Sequence, residues 1–285
     1  MKNVNFERKN FFEEFLSLTG EYLMDFWEDK KELVKIIGFP IFADVVVMLI
    51  ASKRMFENYE DTKSAFFVII SAAIFGGLFN SISIVASDRR NIKQRAATPN
   101  FYYGSYLASR MVVQFMICLL QSWIITRIFE MVPNDYPKHG LIFDSTFNEF
   151  WMTIFLVIYA ADILGLMISS AIKKEKLAST ISPYILIVEL ILSGTLFKFS
   201  KGVKPLSFPM ESRWGMEALG STARLNGLKL RIQSTIPNVP HEKESAYKAT
   251  EAHLMNSWKI LLAFIIIEAI FAYVAMTKIS KDTRQ

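Results

Sequence analysis

Residues 149–171 read EFWMTIFLVIYAADILGLMISSA, and IKKEK follows at 172–176. Inside the run only Glu149 and Asp162 carry a formal charge. A helix rises about 1.5 Å per residue, so a run of this length crosses the ~30 Å hydrocarbon core of a bilayer. The apolar residues are contiguous, with neither strand alternation nor a single helical stripe. In lipid each backbone amide and carbonyl must be paired inside its own segment, which makes the run a helix. The lysines that close it mark the side of the membrane to which that end is drawn.

Working outward, further apolar blocks lie at about 34–53, 64–86, 106–130, 177–197 and 257–277, giving six spans. The chain of 285 residues is 52% hydrophobic, with 24 Phe and 13 Met, and its mean hydropathy is +0.28. Pro40 and Asp44 interrupt the first block, which predicts a kinked or interfacial start. Ahead of it, Phe11, Phe15, Leu18, Tyr22 and Phe26 recur every three or four residues, with Glu13, Glu14, Glu21, Asp25 and Glu28 between them. That period predicts an amphipathic helix lying at the membrane surface, or else packed on another protein surface. The expected fold is therefore all-α: a connecting helix within 1–33, then a six-helix transmembrane domain over 34–285. Segment 198–256 is too long for a bare connector. Pro205, Phe208, Pro209, Trp214 and Met216 predict a re-entrant helix pair there, and Pro237 and Pro240 an exposed cap.

The net charge of +5 would bring nucleic acid to mind in a soluble protein, but here the basic residues sit between apolar blocks. Lys9, Lys30, Lys31 and Lys35 precede the first span, and Arg89, Arg90, Lys93 and Arg95 follow the second. Lys173, Lys174 and Lys176 follow the fourth, and Lys278, Lys281 and Arg284 the last. Six spans put all four groups on one side, so both termini are expected in the cytoplasm of a cell whose plasma membrane, the inner membrane in bacteria, holds the chain. The segment 198–256 is then external, and no nucleic acid partner is expected. The charged N-terminus predicts no cleavable signal peptide. Cys118 is the only cysteine, which rules out an intrachain disulfide or a cysteine-based zinc site, and His139, His241 and His253 lack metal-ligand spacing.

No G-x-x-x-x-G-K-[ST] loop, H-E-x-x-H pair or nucleophile elbow occurs, so the chain is expected not to be an enzyme by itself. Asp44, Asp162, Glu189 and Glu268 fall at membrane depth, where an ionised group costs several kcal/mol and usually faces a bundle interior or a wet cavity. Glu189 stands between Ser182-Pro183 and Ser193-Gly194, and it and Asp162 are candidates for a substrate pathway.

Four stretches carry a resemblance: FLSLTGEYLMDFWEDKKELVKIIGFP (15–40), FGGLFNSISIVASDRRNIKQRAATPNFYYGSYLASRMV (75–112), GLMISSAIKKEKLASTISPYILIVELILSGTLF (165–197) and SRWGMEALGSTARLNGL (212–228). Together they resemble the membrane domain of type-2 ABC exporters, most closely the ABCG-like permeases of bacteria. The resemblance implies a permease of an ATP-driven exporter, with 15–40 as its connecting helix and first span. It implies a second permease copy, identical or similar, and a P-loop ATPase that binds the ATP and Mg2+, the only cofactors expected. In many relatives the ATPase precedes the connecting helix; Met1 stands just upstream here, so a separate polypeptide is expected. The residues after span two resemble the coupling segment, which makes Asp88, Arg89, Arg90, Lys93, Arg95, Tyr102 and Tyr103 candidates for coupling to the ATPase. The family's E-R-x-x-x-x-x-E pattern is altered, with Asp88 at its first acidic position and Arg95 at its second. Phe79 and Asn80 resemble cavity-facing positions, and Arg213 and Trp214 belong to the external-cap motif, although a Trp there is also a common interfacial anchor. The competing readings are an intramembrane lipid-modifying enzyme or a channel that uses the buried carboxylates. The first needs clustered His, Asp or Glu at one membrane face, and the second a filter-like loop or charged ring.

Overall fold

The computed structural model describes residues 10–28, 30, 34, 38, 41–42, 45–46, 55–97, 101–133, 136–195, 197, 199–200, 202–235 and 243–279. The described chain is helical, without strands apart from one isolated bridge between Met55 and Asn58. In order it forms α1 (Phe11–Glu28), α2 (Tyr59–Ser81), α3 (Ile84–Ala96), α4 (Tyr103–Glu130), α5 (Thr146–Ala171), α6 (Glu175–Leu192), α7 (Glu211–Thr222), α8 (Leu225–Thr235) and α9 (Glu251–Thr277). Short 3-10 turns lie at Lys204–Ser207 and Ser245–Tyr247.

The helices start where side chains can hold orphan amides. Asn58 caps α2, its side chain accepting the Glu60 N–H at 3.2 Å, and Glu60 and Asp61 in the first turn favour the same end electrostatically. Thr250 does the same for α9 by accepting from the His253 N–H at 3.3 Å. The start of α3 has no such cap of its own. Ser169 of α5 supplies it from across the bundle: its hydroxyl accepts the N–H groups of Val85 and Ala86, each at 3.0 Å.

Helix α5 is the axis of the bundle, packing against α2, α4, α9, α7, α3 and α6. It is apolar on all sides because it has neighbours on all sides. Its crossing with α2 is close. A Cβ on Gly77 would fall 2.3 Å from the Ile158 carbonyl, and one on Gly165 would fall 2.5 Å from Ser81 Oγ. Small residues at such a crossing let two backbones approach where lipid offers no hydrophobic drive for association. Phe56, Phe66, Phe129 and Phe150 fill the other end of this crossing, ring centroids 5.6 to 6.0 Å apart. Helix α7 is wedged among α2, α5, α6 and α9, with every residue but Arg213 buried. Helix α9 instead turns Leu262, Ile266, Ile267, Ile270, Phe271 and Val274 outward.

Among the described residues four helices are long and apolar enough to cross a membrane: Tyr59–Ala96, which joins α2 to α3, then Tyr103–Glu130, Thr146–Ala171 and Glu251–Thr277. The span expected at 177–197 is α6, only 18 residues long and carrying Glu175, Lys176 and Glu189. The span expected at 34–53, with Pro40 and Asp44, lies mostly outside the described residues, as do Pro237 and Pro240. The second span begins at Tyr59 rather than near residue 64 and breaks at Ile82 and Ser83. The amphipathic helix occurs as α1, whose Leu18 and Tyr22 are buried against α4, while Phe12, Leu16, Met24 and Trp27 stay exposed.

Candidate functional site

A cavity of about 900 Å³ opens among α1, α2, α3, α4 and the first turns of α6. Its apolar wall includes Phe75 and Phe79, whose rings lie 4.5 Å apart and tilted by 40°, and Phe79 is 54% exposed. Its polar wall is built on α4, where Arg110, Gln114 and Gln121 line the space. With Cys118 these residues recur at intervals of four, four and three, so they share one helix face. That stripe was visible in the sequence and was missed, because the block 106–130 read simply as a span.

Asn80 belongs to the same wall and is held there by α4. It exchanges hydrogen bonds with the Gln121 amide, at 2.8 and 3.2 Å, and its carbonyl accepts from Gln114 Nε2 at 3.1 Å. Behind it Asn80 Nδ2 approaches Cys118 Sγ at 3.9 Å, and the thiol donates to Asp162 Oδ2 at 3.5 Å. Asp162 is buried, its main-chain carbonyl accepting from the Ser81 hydroxyl and its Oδ1 without a protein partner. It therefore stands one layer behind the cavity wall, joined to it through Cys118. Gln114 Oε1 is likewise buried without a partner.

Glu189 sits elsewhere. Its carboxylate accepts the Ser212 N–H at 3.0 Å, and its main-chain carbonyl accepts from Ser212 Oγ at 2.6 Å, so it caps the buried start of α7. A negative group at a helix N-terminus meets both the free amides and the positive end of the dipole.

The residues expected to couple to an ATPase divide into two sets. Asp88 turns inward, accepting from Tyr106 Oη at 2.9 Å and pairing with Arg110 at 3.1 Å. The Arg110 guanidinium lies over the Tyr22 ring at 3.4 Å, which ties α1, α3 and α4 together at the rim of the cavity. Arg89 also turns inward, donating to the Ser170 and Ile172 carbonyls at 3.2 and 2.9 Å and so closing the C-terminus of α5. Arg95 bridges to Glu21 of α1 at 2.9 Å. Tyr102 forms a T-shaped ring pair with Phe11 and its amide donates to Glu14, and Tyr103 packs on Phe101. Arg90, Asn91, Lys93 and Gln94 form the exposed side of α3.

At the other end of the bundle, Arg213 pairs with Glu217 at 2.9 Å and lies over Phe208, while Trp214 stacks on Phe208 and donates to its carbonyl at 2.9 Å. Beyond them Glu244 gathers Tyr59 Oη at 2.5 Å, Lys229 at 3.0 Å and Lys63 at 3.7 Å. Burial works against its charged form, but the bonds from Tyr59 and Lys229 and the Lys63 charge hold its carboxyl below the usual glutamate range. None of the residues around Glu244 was singled out from sequence, since charges in a loop give no sign that they will meet.

The family model described as ABC-2 type transporter matches residues 13–208 of this chain. The chain belongs to the ABC-2 type transporter family. The match runs from α1 through α6 to the turn before α7, covering the whole 900 Å³ cavity and the α3 segment. Membership and the apolar helices together make this ABC-2 protein a multi-pass membrane protein and a component of a transporter. No curated protein matches the chain.

Proposed function

We propose that this chain is the permease subunit of an ATP-driven exporter, working with a second permease copy and a separate P-loop ATPase that binds the ATP and Mg2+. The supporting observation is the two-faced α3. Its inner side is bonded to α1, α4 and α5 through Arg95, Asp88 and Arg89, next to a polar-walled cavity. Its outer side carries the exposed Arg90 and Lys93. Force applied by an ATPase to the outer side would reach the cavity through these ties. Phe79, Asn80, Gln114 and Gln121 then contact cargo, and Asp162 tunes them from behind. In this reading the rings of Phe56, Phe66, Phe129 and Phe150, packed at the other end of the α2–α5 crossing, support a resting state open toward the α3 side. In this reading both termini and α3 are cytoplasmic, and the Arg213–Trp214 segment forms part of an external, partly re-entrant cap.

The test is co-purification. Tagged chain extracted in mild detergent should bring down a P-loop ATPase, and the pair should hydrolyse ATP where the chain alone does not. The double variant R90E/K93E should insert and fold normally yet lose most of the ATPase. One exposed ion pair is worth under about 1 kcal/mol, but two reversals replace attraction by repulsion. A parental yield of ATPase with R90E/K93E would remove α3 as the docking element. Hydrolysis of ATP by the isolated chain would overturn the division of labour.

A further inference from the structure

Formal charge is unevenly shared around the 900 Å³ cavity. Among the described residues its wall holds one basic side chain, Arg110, and two acidic ones, Asp25 of α1 and Glu175 at the start of α6. The Arg110 charge is matched by Asp88 at 3.1 Å, and the Tyr22 ring covers its guanidinium at 3.4 Å. Asp25 and Glu175 are exposed, and no described lysine, arginine or histidine forms an ion pair with either. Lys173, Lys174 and Lys176 neighbour Glu175 in the chain, but the face of α6 that meets the cavity carries Glu175 and Ser179, one turn apart, and none of these lysines.

The described wall therefore carries two formal negative charges with no counterpart in it. A cleft lined by one sign of charge between low-dielectric walls focuses its field and concentrates ligands of the opposite sign. The rest of the wall suits the same ligand. Phe75 and Phe79 offer aromatic rings, which attract a cation through their quadrupole and pack well on another ring. Gln114 and Gln121 are neutral amides bonded to Asn80, so they meet polar groups without adding charge. An anion would face two carboxylates and a guanidinium that is already paired.

We propose that the cargo of this cavity is an aromatic organic cation, drawn in by Asp25 and Glu175 and laid against Phe75 and Phe79, with Asn80 and Gln121 meeting its polar edge. This rests on the reading of the cavity as the cargo site and adds the charge and the chemistry of what enters it.

The test uses the full chain in nanodiscs of phosphatidylcholine, with empty nanodiscs as the lipid background. The probes are N-methylacridinium, acridine as its uncharged counterpart at mildly alkaline pH, and acridine-9-carboxylate as the anion. N-methylacridinium should bind saturably and about tenfold tighter than acridine, with the carboxylate weaker still. F79A should weaken N-methylacridinium and acridine together. D25N/E175Q should bring those two affinities to within about twofold of each other, and D25K/E175K should put the carboxylate ahead of N-methylacridinium. Gel filtration and thermal unfolding monitor the fold of each variant. Salt gives an arm that needs no variant. Going from about 0.01 M to about 1 M shortens the screening length from about 30 Å to about 3 Å and should erase most of the preference in the parental chain. Equal parental affinities that F79A still weakens would overturn the cation class alone and leave the cargo cavity standing. Binding that F79A leaves unchanged, or unsaturable uptake of every probe, would overturn the cargo cavity as well. A tenfold preference that survives D25N/E175Q, or survives high salt if that variant does not fold, would overturn the role of the two carboxylates.

Discussion

Arg89 and Arg90 are adjacent, alike in charge and opposite in task. Arg89 satisfies the last carbonyls of α5, at Ser170 and Ile172, while Arg90 points outward. A buried acceptor left without its donor costs about 1–3 kcal/mol, and a solvent-facing substitution typically costs under about 0.5 kcal/mol. R89A should therefore lower the unfolding temperature of the purified chain, and R90A should not. Equal melting curves for the two variants would contradict the inward role of Arg89. Reversal of both arginines together would for this reason confuse folding with docking, so the docking variant leaves Arg89 in place. Glu189 gives a parallel lesson. Its position at membrane depth pointed to a substrate pathway, and the structure shows it bonded to the start of α7.

At the scale of elements, the α2–α5 crossing depends on the missing side chain of Gly77. A Cβ there would meet the Ile158 carbonyl at 2.3 Å and Asp162 N at 2.9 Å. Backbone cannot rotate aside as a side chain can, so G77V must push the two helices apart. Overpacking usually costs about 1–3 kcal/mol, and a clash with backbone belongs at or above the top of that range. The expected result is a chain that inserts but melts at clearly lower temperature, with Cys118 more open to a thiol reagent as the packing around it loosens. Parental melting of G77V would show that the helices are not held this closely. Helices α5 and α9 add a contrast. Their apolar windows have mean hydropathies of 2.1 and 2.4, but 78% of the first window is buried within the protein and only 22% of the second.

At the scale of the whole molecule, Glu244 is the tie between the segment after α8 and the start of α2. Its folded carboxyl titrates below its ordinary value of 4.5, so the fold favours the ionised form. Its contribution is complete above that ordinary value and disappears as the pH falls through the lower, folded one. Hydrogen exchange across residues 243–250 should thus rise in acid below about pH 4.5. E244Q should exchange faster at neutral pH and lose that acid response. An unaltered acid response in E244Q would assign it to other groups.

Sequence alone settled the helical class, the membrane setting and the family, because a contiguous apolar run about 20 residues long has one stable form in lipid. It also marked the segment 88–95 and the pair Phe79–Asn80, and the cavity does contain both of the latter. Tertiary structure alone decided which side of each residue matters. Arg89 became a helix cap, Asp162 a second layer, Glu189 the start of α7, and Gln114 and Gln121 the polar wall. Hydropathy measures how a segment partitions from water into lipid, and the bundle interior is about as apolar as the lipid around it. Which face turns inward is set instead by contacts between segments far apart in sequence, such as Ser169 with Val85 or Arg89 with Ile172. Those contacts exist only once the helices have packed.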